Sequence, residues 1–243
     1  MSEYISERPV TIAFDGLHRV GKGTQTRALV DTLSDKNLNT IVVRGDGTRD
    51  GLGLSQGDPF DLEWQQRNKY IKSEQGGSVE DWNASSLVLL RELSEVLENE
   101  QEKKFDAVII DRSILSRAAF LLHRGVGMTG VRMTLEELYP SNQTLHGDER
   151  LDLESLIPDI IFDLQAENPL SLLSRLDRDD PKYLFRSRNI KGGFESSIQA
   201  KYHVPKNVQE RVEVLDAGDS PENVHRKVLQ HIGETALGKR LEL

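Results

Sequence analysis

One segment of the chain combines residue types that can hold a polyphosphate. It reads Gly16-Leu17-His18-Arg19-Val20-Gly21-Lys22-Gly23-Thr24 and follows the apolar run Val10-Thr11-Ile12-Ala13-Phe14. Glycines let backbone N–H groups converge on anionic oxygens, and a lysine brings a point charge to the terminal phosphates. A helix beginning at the end of the loop adds the positive end of its dipole. All three are present in strand–loop–helix order. Gly16, His18, Arg19, Val20, Gly21, Lys22, Gly23 and Thr24 therefore form a candidate ATP-phosphate cradle. The strict form of the pattern puts Ser or Thr directly after the lysine, whereas this chain has Gly23 and then Thr24.

Two further groups suit phosphate chemistry. Asp111-Arg112 closes the apolar run Asp106-Ala107-Val108-Ile109-Ile110. A carboxylate there can hold Mg²⁺ through water or orient an attacking oxygen, and an arginine can grip an acceptor phosphate with two parallel hydrogen bonds. Arg175, Arg178, Arg186 and Arg188 lie between a fourth apolar run and a helix expected over Phe194–Tyr202. Arginines brought to a transferring phosphoryl group neutralise its spreading charge.

The elements that must position these residues are legible as alternating runs. Strands are expected near 10–14, 40–43, 106–110, 160–164 and 212–215, separated by amphipathic stretches such as Thr24–Leu33 and Ser86–Leu97. A last helix has a clear start, with Ser220 as N-cap, Pro221 in the first position and Glu222 in the first turn. Near-continuous apolar strands alternating with helices predict an α/β fold: a five-stranded parallel sheet with helices on both faces. Ligands of such sheets sit beyond the carboxyl ends of the strands. The site loops are then those beginning at Asp15, Arg44, Asp111, Gln165 and Asp216. Two long Gly-containing stretches, 45–84 (with Trp64 and Trp82) and 121–157, read as acceptor-side insertions.

Composition sets the bounds. The chain has 243 residues with 31 Lys plus Arg against 40 Asp plus Glu, a net charge of −9, which argues against nucleic acid as a partner. There is no cysteine, which excludes a disulfide scaffold, a thiolate nucleophile and a thiolate-ligated metal. No apolar run approaches the roughly 18 residues of a membrane span, and the polar Met1–Pro9 stretch has no signal-peptide core. A cytoplasmic protein without a membrane partner is expected. The closing Leu241-Glu242-Leu243 carries no signal for the fold or the site.

With these pieces assembled, the sequence resembles the thymidylate kinase family of P-loop nucleoside monophosphate kinases along nearly its whole length. Phe14 to Gln25 is similar to that family's Phe-Glu-Gly-x-Asp-x-x-Gly-Lys-x-Thr loop, and Gly45-Asp46-Gly47-Thr48-Arg49-Asp50-Gly51 to its Pro-Gly-Gly-Thr-x-x-Gly segment. Asp111-Arg112-Ser113-Ile114-Leu115-Ser116 with Ala119-Phe120 resembles its Asp-Arg-aromatic-x-x-Ser-x-x-Ala-Phe signature. Three positions depart from the pattern. His18 stands where the family has a carboxylate, Leu87 near where it stacks an aromatic on the base, and Ser113 where an aromatic follows Asp-Arg.

The resemblance implies a single P-loop NTPase domain over residues 1–243, with a lid near 177–193, that uses ATP and Mg²⁺ to phosphorylate a small nucleotide such as dTMP. By the same token Lys22, Arg19, Asp111, Arg186 and Arg188 serve catalysis, and Thr24 and Asp111 seat Mg²⁺, mostly through water. Asp15, His18, Arg44, Arg49, Arg91 and Arg112 take the acceptor. It also implies a homodimer, with the apolar helix Ser86–Leu97 as a candidate interface. Two other readings stay open. One is a kinase of an unphosphorylated deoxynucleoside or other metabolite, which Asp111-Arg112-Ser113 also echoes. The other is a nucleotide-binding protein without catalysis.

Overall fold

The structure, a computed structural model, describes residues 8–17, 19–44, 93, 97, 105–123, 157–176 and 183–243. Five strands form one parallel sheet: β1 (Val10–Gly16), β2 (Thr40–Arg44), β3 (Ala107–Asp111), β4 (Ile160–Gln165) and β5 (Val212–Asp216). Their order across the sheet is β2-β3-β1-β4-β5. Each falls within two residues of the expected run; β1, β3 and β4 are buried on both faces, which near-continuous apolar sequence allows, while β5 at the sheet edge is part-exposed. The described helices are α1 (Lys22–Asp35), α2 (Ile114–His123), α3 (Pro169–Leu173), α4 (Tyr183–Ala200), α5 (Lys206–Gln209), α6 (Pro221–Gly233) and α7 (Ala236–Arg240).

Alternate strand residues feed two cores. Ile12, Phe14, Ile109, Phe162 and Leu164 pack with Leu29 and Leu33 of α1 and with Val224, Val228 and Ile232 of α6. The Phe14 and Phe162 rings stack across β1 and β4 with centroids 5.6 Å apart. On the other face Ala13, Val43, Val108, Ile110 and Ile161 pack with Leu115, Ala118 and Leu121 of α2 and Ala200 of α4. The central strand β1 pairs with β3 on one side and β4 on the other. The connection from β1 runs to β2 on one side and that from β3 crosses to β4 on the other, so a crevice opens at the carboxyl end of β1. That is where Gly16 to Lys22 lies.

Several expectations change. The helix expected over Phe194–Tyr202 starts eleven residues earlier, at Tyr183, and takes in Arg186 and Arg188. The Gly192-Gly193 pair sits inside it despite its poor helix propensity. A Cβ on Gly193 would lie 3.4 Å from Leu17 Cδ2, so close approach to the loop after β1 accounts for one of the two glycines. The discounted C-terminal residues belong to the fold. Leu241 is buried, Leu243 N donates to Gly238 O at 2.9 Å, and Lys36 Nζ donates to Glu242 O at 2.5 Å. Leu93 and Leu97 are helical, and Leu93 is buried in the α2-side core with Leu97 packed against it, so these two positions face the chain's own sheet. Stretch 45–84, residues 124–156 of the second stretch, and His18, Arg49, Leu87, Arg91 and Arg178 lie outside the described residues. No helix among the described residues is long and apolar enough to cross a membrane.

The turn out of β1 depends on one glycine. Gly16 has φ +123°, and a Cβ there would lie 2.3 Å from the Leu164 carbonyl oxygen on β4. Gly23 has open space around its Cα and no unusual φ. Gly16→Ala is expected to lose roughly 2 kcal/mol or more of stability. Gly23→Ala is expected to be neutral or to gain up to about 1 kcal/mol. Urea unfolding of the two variants checks this, and equal effects would contradict it.

Candidate active site

Gly21 carries φ +111° and begins α1 without a capping side chain. The backbone N–H groups of Thr24 and Gln25 turn back to Gly21 O, both at 3.0 Å. A helix start lacking a side-chain cap leaves N–H groups for an anion. Lys22 follows at once and is buried, at 6% exposure. Its Nζ donates to Gly16 O (3.0 Å) and Leu17 O (2.7 Å), so the ammonium clamps the loop that precedes it. An ammonium has three hydrogens, and two are accounted for by these carbonyls. Burial pushes the Lys22 pKa down to about 7, and the Arg112 guanidinium adds to that push; Asp111, then Asp15 and Asp163, act in the opposite sense.

The sheet register sets Arg44, Asp111 and Phe14 abreast at the carboxyl edge. Arg112 N donates to Phe14 O at 3.0 Å, and its guanidinium reaches Gly16 O at 3.5 Å. Arg112 has φ +82° and Arg19 has φ +62°. Left-handed backbone at a bulky residue is costly and concentrates at functional sites. Both arginines line a cleft of about 550 Å³ together with Val20, Gly21, Lys22, Gly23, Thr24 and Asp111. Arg27 and Arg175 join them, and Arg175 donates to Arg19 O at 3.4 Å. Five basic side chains against two carboxylates, Asp111 and Asp219, make this an anion site in an otherwise acidic protein. One Asp111 carboxylate oxygen is buried and has no partner among the described residues. Thr24 is exposed on the first turn of α1. A hydroxyl and a carboxylate at the mouth of a phosphate cradle are hard oxygen donors of the kind Mg²⁺ prefers.

Asp15 is placed differently from the expectation that it meets substrate. It is buried, and its carboxylate accepts from Ser113 N (3.1 and 3.2 Å), Ser113 Oγ (2.5 Å), Ser116 N (3.1 Å) and Ser116 Oγ. Its acceptor capacity is spent on starting α2. This also gives Ser113 its role: it replaces the expected aromatic and ties the Asp111-Arg112 turn to β1. Arg44 ends β2 at the exposed carboxyl edge and does not line the cleft. Arg186 and Arg188 lie on the first half of α4.

The sequence reading passed over Asp163, although a carboxylate inside Ile160-Ile161-Phe162-Asp163-Leu164 is an anomaly visible in the sequence. It is buried at 1% exposure, in register with Asp15 on the neighbouring strand, and accepts from Gln165 Nε2 at 2.7 Å. Burial raises its pKa from 3.8 to about 6; the Gln165 hydrogen bond opposes the rise and the Asp15 charge adds to it. The folded chain therefore holds this proton more tightly than the unfolded chain. Its contribution to stability is complete below about 3.8 and is lost as pH rises through about 6. Asp163→Asn is expected to be more stable than the parent by roughly 1–3 kcal/mol at pH 7.5, with the difference vanishing near pH 4. Denaturation at the two pH values measures it, and a pH-independent difference would contradict it.

No protein-family model matches the sequence, and no curated protein does. Solved structures do match. The thymidylate kinase from Candida albicans aligns with a TM-score of 0.57 at 17% identity, over 96% of this chain and 94% of that one. The thymidylate kinase from Ehrlichia chaffeensis aligns with a TM-score of 0.51 at 18% identity, over 93% of this chain and 99% of that one. At such identity the likeness is one of fold, and the chain has the P-loop NTPase fold of the thymidylate kinases.

Proposed function

We propose that the protein transfers the γ-phosphoryl group of ATP to a nucleoside monophosphate, dTMP or a related nucleotide, giving ADP and the diphosphate. The observation that carries this reading is the convergence of Lys22, Arg19, Asp111 and Arg112 on one cleft at the carboxyl edge of β1 and β3. In this reading Lys22 and the N–H groups of Gly21, Lys22 and Gly23 hold the β- and γ-phosphates. An oxygen of the acceptor phosphate attacks the γ-phosphorus while the bond from that phosphorus to the β-bridging oxygen breaks. The attacking oxygen is already anionic, so no general base is required. Catalysis is then positioning plus neutralisation of charge. Arg19 neutralises the transferring group, and Arg186 and Arg188 on α4 belong to the lid that closes over it and excludes water.

Thr24 and Asp111 would hold Mg²⁺, in part through water, and the buried unpartnered oxygen of Asp111 fits that use. Mg²⁺ held there would offset the negative charge of the phosphates. Arg112 grips the acceptor phosphate, and the resemblance assigns Arg49 to that phosphate and His18 and Arg91 to the acceptor nucleoside. The Candida albicans thymidylate kinase is described as having broad substrate specificity. That precedent, with His18, Leu87 and Ser113 off the family pattern, supports an acceptor range wider than dTMP. Dimer assembly and a cytoplasmic address belong to the same reading. One observation favours a second acceptor class: Asp111 lines the cleft, and a carboxylate there is the kind of base an unphosphorylated hydroxyl acceptor needs.

ADP release from Mg-ATP, measured against a panel of nucleoside monophosphates and free nucleosides, tests the proposal. A monophosphate is expected to stimulate release, and Lys22→Ala and Arg112→Ala to lower kcat/KM by roughly 100-fold or more. Arg112→Gly is expected to lose activity equally while keeping or gaining up to about 1 kcal/mol of stability, because φ +82° suits glycine. Stimulation by free nucleosides alone would favour the second acceptor class. Full activity in Arg112→Ala would contradict the assignment of the acceptor phosphate.

A further inference from the structure

We propose that Asp219 selects the base of the phosphate donor by accepting a hydrogen bond from the amino group of an aminopurine such as adenine. The inference deepens the reading above and rests on its claim that the cleft holds a nucleoside triphosphate.

The two ends of the cleft differ in chemistry. Arg19, Lys22 and Arg112 mark the phosphate end. The other end is built by β4 and the turn from β5 into α6, where Leu164, Ala217 and Val224, all buried, meet Pro221. Such a patch suits the face of a heterocycle, and the Arg175 guanidinium that lines the same cleft adds a planar cation able to stack on it. A ring placed there needs polar partners at its edge. Of the two carboxylates that line the cleft, Asp111 belongs to the phosphate end and Asp219 to this one.

Asp219 is held in place. Lys227 Nζ, from the second turn of α6, donates to its Oδ2 at 2.5 Å. The turn that carries it is fixed as well: Ala217 N donates to Gln165 O (2.7 Å) and Gly218 N to Asp216 Oδ1 (2.8 Å). Among the described residues the Asp219 Oδ1 atom has no partner. A carboxylate with one oxygen taken presents a single acceptor and no donor. It matches one N–H of a 6-amino group. A 6-oxo purine would set a carbonyl oxygen against it, leaving two acceptors facing each other and a penalty for the unpaired group.

ATP and ITP carry an amino group and an oxygen at that position, so their binding to the full chain with Mg²⁺, measured by calorimetry, tests the proposal. The parent protein is expected to bind ATP roughly tenfold or more tighter than ITP. Asp219→Ala is expected to bring the two within about threefold of each other, and Asp219→Asn, whose amide can donate to the oxygen, to shift the ratio further toward ITP. Equal binding by the parent, or a ratio that survives Asp219→Ala, would overturn the assignment while leaving phosphoryl transfer intact. Failure of the parent to bind either nucleotide would overturn the nucleotide reading of the cleft and this inference with it.

Discussion

A buried lysine has to be held at the cleft beside β1 without water to solvate it. Lys22 meets this constraint through two carbonyl oxygens of its own loop and through three carboxylates nearby, Asp111, Asp15 and Asp163. Those carboxylates come from the carboxyl ends of β3, β1 and β4, so their arrangement around the lysine requires three neighbouring strands in parallel register. The sheet in turn depends on apolar residues filling both of its faces. Burial gives the strands their order, the order opens the crevice beside β1, and Lys22 stands in that crevice among four arginines.

The same carboxylates divide the work. Asp15 is saturated by Ser113 and Ser116 and fastens the start of α2 to β1. That fastening fixes the turn on which Arg112 sits in left-handed backbone. Asp163 costs stability at neutral pH, the kind of expense found beside functional sites rather than in cores optimised for packing. Asp111 keeps an uncommitted oxygen at the cleft. The scaffold thus separates a structural acid, a charge-balancing acid and an acid left for ligand or metal.

Much of this was legible in the sequence. Continuous apolar runs located all five strands within two residues, since period and length leave little room for another element there. Ser220-Pro221 placed the start of α6, where Ser220 Oγ accepts from Asn223 N. Residue types and spacing pointed to the loop before α1 and that helix's first turn, of which Arg19 to Thr24 line the cleft, and to the Asp111-Arg112 turn beside it. Strand order was not legible, because parallel pairing is decided by contacts distant in sequence. The start of α4 was missed because packing against Leu17 overrides the poor propensity of Gly193. Asp15 was mistaken for a substrate contact because its saturation by two serines is visible only in three dimensions. Asp163 and Asp219 were missed for opposite reasons: one is an anomaly inside an apolar strand that a pattern of apolar positions skips, the other an ordinary loop residue until the cleft is seen.

The central claim is the destination of a phosphoryl group, and the most direct measurement follows that group. The chain would be incubated with Mg²⁺ and ATP labelled in its γ-phosphate, together with a nucleoside monophosphate, and the labelled products separated. Phosphoryl transfer to a nucleotide predicts label in the β-phosphate of the nucleoside diphosphate and little in inorganic phosphate, as expected where lid closure keeps water from the γ-phosphorus. Label confined to inorganic phosphate, or appearing only in a monophosphate made from added nucleoside, would contradict it.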